Sequence, residues 1–264
     1  WQVEVYPETA APPQSLILEK VRGGVDALIT TLRDQIDESV FAAGAKAGLK
    51  VVAQFAVGFD NIDRPSANKY GIAFSHTPDV LTDTTAEFAF FLMGTLGRRL
   101  WPAEELVREN RWTTWHPFLP FLGDEITGKT VAVIGTGRIG KSFIKKAVGF
   151  DMDIVCHDPT YQDQGFVAAI RWLMEVRFRE KLCTRMQKIE YLSLEDALHR
   201  ADYVTLHVPL TLPGSAAEPT FHIMDERRLR MMKNTAYLIN TARGPILDEP
   251  AQAKALLAGW IAGA

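Results

Sequence analysis

The sequence predicts an α/β protein of two domains, each built on a doubly wound parallel sheet. Three observations carry that expectation. Short β-branched or apolar runs alternate with helical stretches in two separate series. An aromatic, proline-rich connection divides the series. The second one opens on a strand that runs into a glycine-rich turn and then a helix.

In chain order, Val3-Glu4-Val5-Tyr6 alternates like a strand, and its closeness to Trp1, which is not a Met, suggests that a few residues precede it. The first series then runs through Ala27–Thr31, Glu38–Gly48, Lys50–Phe55 and Gly71–Phe74, separated by polar or glycine punctuation. From Thr84 to about Arg111 apolar residues recur at helical spacing through Ala86, Phe90, Met93, Leu96 and Leu100, which predicts one long helix kinked or restarted near Pro102. The stretch Trp112 to Gly123, with Trp115, His116, Pro117, Phe118, Pro120 and Phe121, is expected to be a linker or packed loop. Four further strands are read at Val131–Ile134, Asp153–Cys156, Tyr203–His207 and Ala236–Asn240. Between Thr160 and Tyr191, the run from Ile170 to Met186 reads as an amphipathic helix. Its basic residues form either a solvated face or a surface for an anion or a partner.

At 264 residues, with 47% hydrophobic and 23% charged residues, the chain is long enough for two ordinary globular cores. A net charge of -3 provides no basic field for nucleic acid or an anionic membrane. The longest apolar stretch, around Phe88–Met93, is too short to span a bilayer, so no membrane association is expected. Cys156 and Cys183 have neither metal-ligand nor disulfide-framework spacing, which suits a reducing, cytoplasmic location. The histidines His76, His116, His157, His199 and His222 are scattered, so no metal site is expected. No internal repeat or low-complexity tract is present.

The chemistry is concentrated in Gly135-Thr136-Gly137-Arg138-Ile139-Gly140, which follows a strand directly and opens a helix at Lys141–Phe150. In that context the first glycine allows a tight turn, the second lets backbone approach a pyrophosphate, and the third permits close helix packing. Asp158, at the end of the next strand, is placed to hydrogen-bond adenosine ribose hydroxyls and to repel a 2′-phosphate, which favours NAD over NADP. Alone, it would also read as a turn-forming Asp before Pro159.

Gly128 to Gly140, His157-Asp158-Pro159, His207 to Thr211, Leu238 to Pro245 and Gly259 to Ala264 together resemble the D-isomer-specific 2-hydroxyacid dehydrogenases, from about Val21 to Ala264. Val57 to Asp63, Thr82 to Glu87 and the Trp112, Trp115, His116, Pro117 connection are most similar to glyoxylate/hydroxypyruvate reductases of that family. The resemblance implies two Rossmann-like domains with a cleft between them: a substrate domain at 1–97 and an NAD-binding domain at 98–264, both incomplete at the C-terminal side.

The resemblance also implies site residues. Arg243 matches the family arginine that grips the substrate carboxylate and polarises its carbonyl, and a guanidinium fork suits a carboxylate; read alone it would be a surface salt-bridge residue. Val57 and Gly58 match the backbone amides on the other side of that carboxylate, though alone they read as a strand-end turn. Gly135, Gly137, Arg138, Ile139, Gly140 and Asp158 match cofactor contacts. Thr85, His207, Val208, Pro209, Thr241, Ala242 and Arg243 match the lining of the nicotinamide and its ribose. His207 is not assigned the acid/base role, and a packed or solvent-facing loop histidine is an equal reading.

In the family, an aspartate, a glutamate that raises the histidine's pKa and the proton-exchanging histidine all follow the Ile-Ala-Gly-Ala run, and this chain reaches only Ala264. The stretch from about Thr160 to Glu190 is longer than the family norm by roughly a helix. The expected function is NAD(H)-dependent reduction of a small 2-oxo acid to its 2-hydroxy acid, by a homodimer, without nucleic-acid partners. NAD(H)-sensing corepressors and phosphoglycerate, formate or phosphite dehydrogenases, which share the scaffold, stay as alternatives.

Overall fold

The computed structural model describes residues 2–115, 117–118 and 122–264; His116, Leu119, Pro120 and Phe121 of the aromatic connection lie outside the described residues, as does Trp1. Two compact units divide between Leu81 and Thr82.

The first unit alternates α1 (Gln14–Arg22), β1 (Ala27–Thr30), α2 (Glu38–Ala47), β2 (Val51–Gln54), α3 (Arg64–Lys69) and β3 (Ala73–Ser75). Its strands pair in parallel in the order β1-β2-β3, with Val51 facing both Ala27 and Ala73. The helix boundaries follow from local chemistry. Asp37 caps α2 by accepting from the Ser39 and Val40 amides, and Gly48, at φ 93°, closes it in the left-handed conformation that glycine tolerates. Asp63 caps α3, whose first turn also takes a proline. The core joins Ile17, Val21, Val40, Phe41, Val52, Ile62 and Ile72. The strand expected at Val3–Tyr6 does not form; that segment is unpaired coil, because period-2 alternation without a partner edge leaves the backbone unsatisfied.

The second unit holds α4 (Thr82–Gly97), α5 (Leu100–Arg108), β4 (Thr130–Ile134), α6 (Arg138–Gly149), β5 (Asp153–His157), α7 (Gln164–Arg179), β6 (Ile189–Tyr191), α8 (Leu194–Arg200), β7 (Tyr203–Leu206), α9 (Glu226–Leu229), β8 (Tyr237–Asn240) and α10 (Glu249–Leu257). Five parallel strands lie in the order β6-β5-β4-β7-β8, with β4 at the centre and buried from Val131 to Ile134. That order reverses direction between β4 and β7, the arrangement of a doubly wound sheet. One core lies on each face: Phe143, Ile144, Met152 and Met174 join Ala86, Ala89 and Met93 on one side, and Leu198, Leu206, Met224 and Ile246 lie on the other.

Three details differ from the sequence reading. The division falls at Leu81/Thr82 rather than after Gly97, because α4 buries Ala86, Ala89 and Met93 in the core of the second unit. The predicted long helix breaks at Arg99 (φ 51°), not at Pro102. Gly97 lies so close to Tyr203 that a Cβ there would sit 2.2 Å from the tyrosine hydroxyl, while Pro102 falls in the first turn of α5, where its missing N–H costs nothing. The insertion helix spans Gln164–Arg179 instead of centring on Ile170–Met186. Part of the basic set of the predicted run is bound internally: Arg177, on the helix, pairs with Asp151, and Arg185, beyond its end, with Asp153 and the Gly128 and Asp151 carbonyls. These bonds favour the reading of an ordinary surface helix. Strand β6 was not expected; three residues, Ile-Glu-Tyr, carry too little pattern to be recognised.

Candidate cofactor and substrate sites

Strand register brings the segments singled out in the second unit to one edge of the sheet. Ile134 is paired with His157 and with Leu206, and Leu206 with Asn240. The residues that follow these strands, Gly135–Gly140, Asp158, His207–Pro209 and Thr241–Arg243, therefore stand in a row beyond the carboxyl ends, where open α/β sheets bind ligands.

The three glycines do different things. Gly135 turns at φ 93°, and a Cβ there would meet the His207 carbonyl at 2.7 Å. Gly140 lies so close to the turn that its Cβ would stand 2.1 Å from the Gly135 oxygen. Gly137 faces open space and caps α6 with no side chain. The first-turn amides of a 12-residue helix thus point to a surface that nothing obstructs, which fits a pyrophosphate. Arg138 and Ile139 begin that helix.

Asp158 is bound to the same turn. One carboxylate oxygen accepts from the Thr136 amide at 2.9 Å and the Thr136 hydroxyl at 3.2 Å, and the other accepts from the Thr160 and Tyr161 amides. The Thr136 hydroxyl also meets the Tyr191 hydroxyl at 2.9 Å, and burial raises the Tyr191 pKa. Neither Thr136 nor Tyr191 was singled out from the sequence. Thr136 sits inside the glycine run and could have been; Tyr191 comes from the unexpected β6.

His207 is enclosed against Phe143, with ring centroids 5.5 Å apart, and its Nε2 bonds the Thr205 hydroxyl at 3.0 Å. Burial lowers its pKa to about 4, so the imidazole is neutral at pH 7. Val208 is buried beside Gly135, and Pro209 accepts from the Thr220 hydroxyl through its carbonyl. Thr85 lies in the first turn of α4, which is fastened to α6 by the Ser142 hydroxyl and Lys146 on Asp83. The Asn240 side chain holds the turn after β8: its amide donates to the Arg243 carbonyl at 2.9 Å and its oxygen accepts from the Ala242 amide at 3.0 Å. Arg243 Nη1 donates to the Ala242 carbonyl. The Thr241 hydroxyl is buried beside this turn without a hydrogen-bond partner, an orphaned polar atom at the position expected to face the cofactor.

In the first unit, Val57 and Gly58 follow β2 at its carboxyl end. The Gly58 carbonyl accepts from Gln54, which also bonds Asn61 and Thr30, while Asn61 holds the Thr31 and Asp34 carbonyls. The turn is fixed by a buried polar network that the sequence did not reveal, because its members are up to 30 residues apart.

Residues 90–264 match the family of the D-isomer specific 2-hydroxyacid dehydrogenase, NAD binding domain. The chain is 41% identical over 265 residues to a glyoxylate reductase of Korarchaeum cryptofilum, which covers 100% of this chain and 71% of that protein. It is 41% identical over 268 residues to a glyoxylate reductase of Pyrococcus horikoshii, covering 100% of this chain and 72% of that one. Among solved structures, the TT0316 protein of Thermus thermophilus superposes with a TM-score of 0.77 at 35% identity, covering 96% of this chain and 70% of that chain. The D-lactate dehydrogenase of Aquifex aeolicus, complexed with NAD and lactic acid, gives a TM-score of 0.75 at 28% identity over 93% of this chain and 65% of its own. With the glycine turn, the Asp158 contact and the five-strand order on which they stand, these matches make the chain a member of the D-isomer specific 2-hydroxyacid dehydrogenase family.

Proposed function

We propose that the protein is an NADH-dependent reductase of a small 2-oxo acid such as glyoxylate or hydroxypyruvate. The observation that carries this reading is the Arg243 turn, buttressed by Asn240 on the same sheet edge as the glycine loop. Two relatives named glyoxylate reductases, each 41% identical, support the substrate class.

In this reading Arg243 binds the substrate carboxylate and polarises the adjoining carbonyl, and the Val57 and Gly58 amides are further donors suited to a carboxylate. The first turn of α6 and the Gly137 opening hold the pyrophosphate, Asp158 the adenosine ribose, and Thr85, His207, Val208, Pro209, Thr241 and Ala242 the nicotinamide end. When bound, NADH supplies the hydride; the chain's share is orientation and charge stabilisation. His207, neutral through burial, is a wall of the site and not its acid.

We further place the protein in the cytoplasm, where its two free thiols fit a reducing milieu. A homodimer is supported by the exposed apolar side chains of Phe88, Phe91, Leu100 and Trp101 on α4 and α5. Gel filtration showing a monomer at high concentration overturns the dimer. In this reading the proton for the new hydroxyl comes from the family histidine that follows the Ile-Ala-Gly-Ala run, so the function is tested by NADH oxidation by the complete protein with glyoxylate and hydroxypyruvate: turnover is expected, and NADH binding without turnover of any 2-oxo acid replaces this reading with a dinucleotide-gated binding protein.

A further inference from the structure

Three consecutive carbonyls at the carboxyl end of β2 are each held by a different donor. The Ala56 carbonyl accepts from the Thr77 amide at 3.0 Å, the Val57 carbonyl from His76 Nδ1 at 2.9 Å, and the Gly58 carbonyl from Gln54 Nε2 at 3.2 Å. A trans peptide is planar, with its C=O and N–H pointing in opposite directions. Fixing the Ala56 and Val57 carbonyls on the His76–Thr77 segment therefore turns the N–H groups of Val57 and Gly58 away from that segment. No backbone carbonyl among the described residues takes up either amide. Two successive amides turned out of the fold make a small anion-binding concavity.

We propose that His76 is a positioning residue that holds the Val57–Gly58 peptide in the orientation that receives the substrate carboxylate. The proposal rests on the reading of Val57 and Gly58 as carboxylate donors. A carbonyl only accepts, so Nδ1 carries the hydrogen of this bond. The ring itself is set by packing: it stacks on Phe74 with centroids 6.0 Å apart and 7° between planes, and meets Phe59 edge-on at 5.0 Å. Phe59 is covered in turn by the Arg64 guanidinium at 5.0 Å. The aromatic pair locks the imidazole in place, and the imidazole locks the peptide. Thr77 contributes through backbone alone, so His76 is the side chain of this segment whose identity matters.

The test compares His76→Phe, which keeps a ring for Phe59 and Phe74 but has no donor, with His76→Asn, whose amide nitrogen stands close to the place of Nδ1. Binding of oxamate, an unreduced 2-oxo acid mimic, to the NADH-loaded protein is measured by calorimetry beside the KM for glyoxylate. His76→Phe is expected to weaken oxamate binding and raise the KM by about tenfold, the loss of one hydrogen bond in an ordered site. NADH affinity should not change, and His76→Asn should recover to within about threefold of the unaltered protein. Oxamate binding unaffected by His76→Phe, or a His76→Asn protein as weak as His76→Phe, overturns the assignment. An unaltered protein that binds NADH but no oxamate overturns the carboxylate reading of Val57 and Gly58 itself.

Discussion

The Asp158 carboxylate and the Thr136 amide are hydrogen-bonded at 2.9 Å, so the acidic residue beyond β5 is part of the glycine turn beyond β4. Its other oxygen is held by the Thr160 and Tyr161 amides. A carboxylate fixed in this way is oriented before a cofactor arrives, and in the proposed reading its charge faces the place of a 2′-phosphate. Asp158→Asn should narrow the preference for NADH over NADPH by at least about tenfold, as expected for removing a like charge at close range. The ratio of the two dissociation constants, measured by fluorescence titration, checks this; an unchanged ratio removes Asp158 from cofactor selection.

The glycines of the turn should separate stability from binding. Gly140→Ala places a Cβ 2.1 Å from the Gly135 carbonyl oxygen, and backbone must move; a loss of roughly 2 kcal/mol or more is expected in urea unfolding. Gly137→Ala meets nothing in the protein and should cost under about 1 kcal/mol as a poorer helix cap. Its NADH affinity should nonetheless fall at least about tenfold if, as proposed, the pyrophosphate approaches the open space that the methyl would enter.

Arg243 and Asn240 should fail differently. Arg243→Ala is expected to raise the KM for a 2-oxo acid by about 100-fold or more while leaving NADH affinity within about threefold, as for truncating one partner of a charge pair. Asn240→Ala removes both bonds that shape the turn, and should raise the KM by about tenfold and also lower stability by about 1–3 kcal/mol. Lost NADH binding with intact substrate handling in Arg243→Ala would falsify its placement on the substrate.

His207 should make the second unit sensitive to acid. Burial lowers its pKa from 6.5 to about 4. Between those values the unfolded chain binds more protons than the folded one, so stability falls as pH drops through that window and levels off below it. The neutral replacement His207→Gln, which keeps an amide near Nε2 for Thr205, should flatten that part of the curve. Urea midpoints taken from pH 7 to pH 4 on both proteins decide it.

Much of this was legible in the sequence because it is local. The apolar run Val131–Ile134, the glycines after it and the helix that follows lie within one stretch of chain, and strand register then carried Asp158, His207 and Arg243 to the same edge. What stayed hidden depends on distance or on unmarked backbone. Arg99 adopts a left-handed conformation that its residue type does not announce. The bonds from Gln54 to Gly58, from His76 to Val57 and from Tyr191 to Thr136 join side chains whose meeting depends on the packed fold. Asn240 lies within the run Leu238 to Pro245, but only the folded turn reveals what its amide holds.

The strand order of the larger sheet also bears on how the chain reaches this state. The central strand β4 joins β7 across a long intervening stretch, and the Thr130 amide meets the Asp202 carboxylate 72 residues further on. The neighbouring pairs of the first unit are separated by far less chain, as with Thr30 and Gln54, 24 residues apart. Closing the longer loop costs more entropy before any contact repays it. On a ribosome, the first unit has all three of its strands available before β7 is synthesised, while β4 must wait with one edge open, and it is during that interval that a chaperone would be of most use.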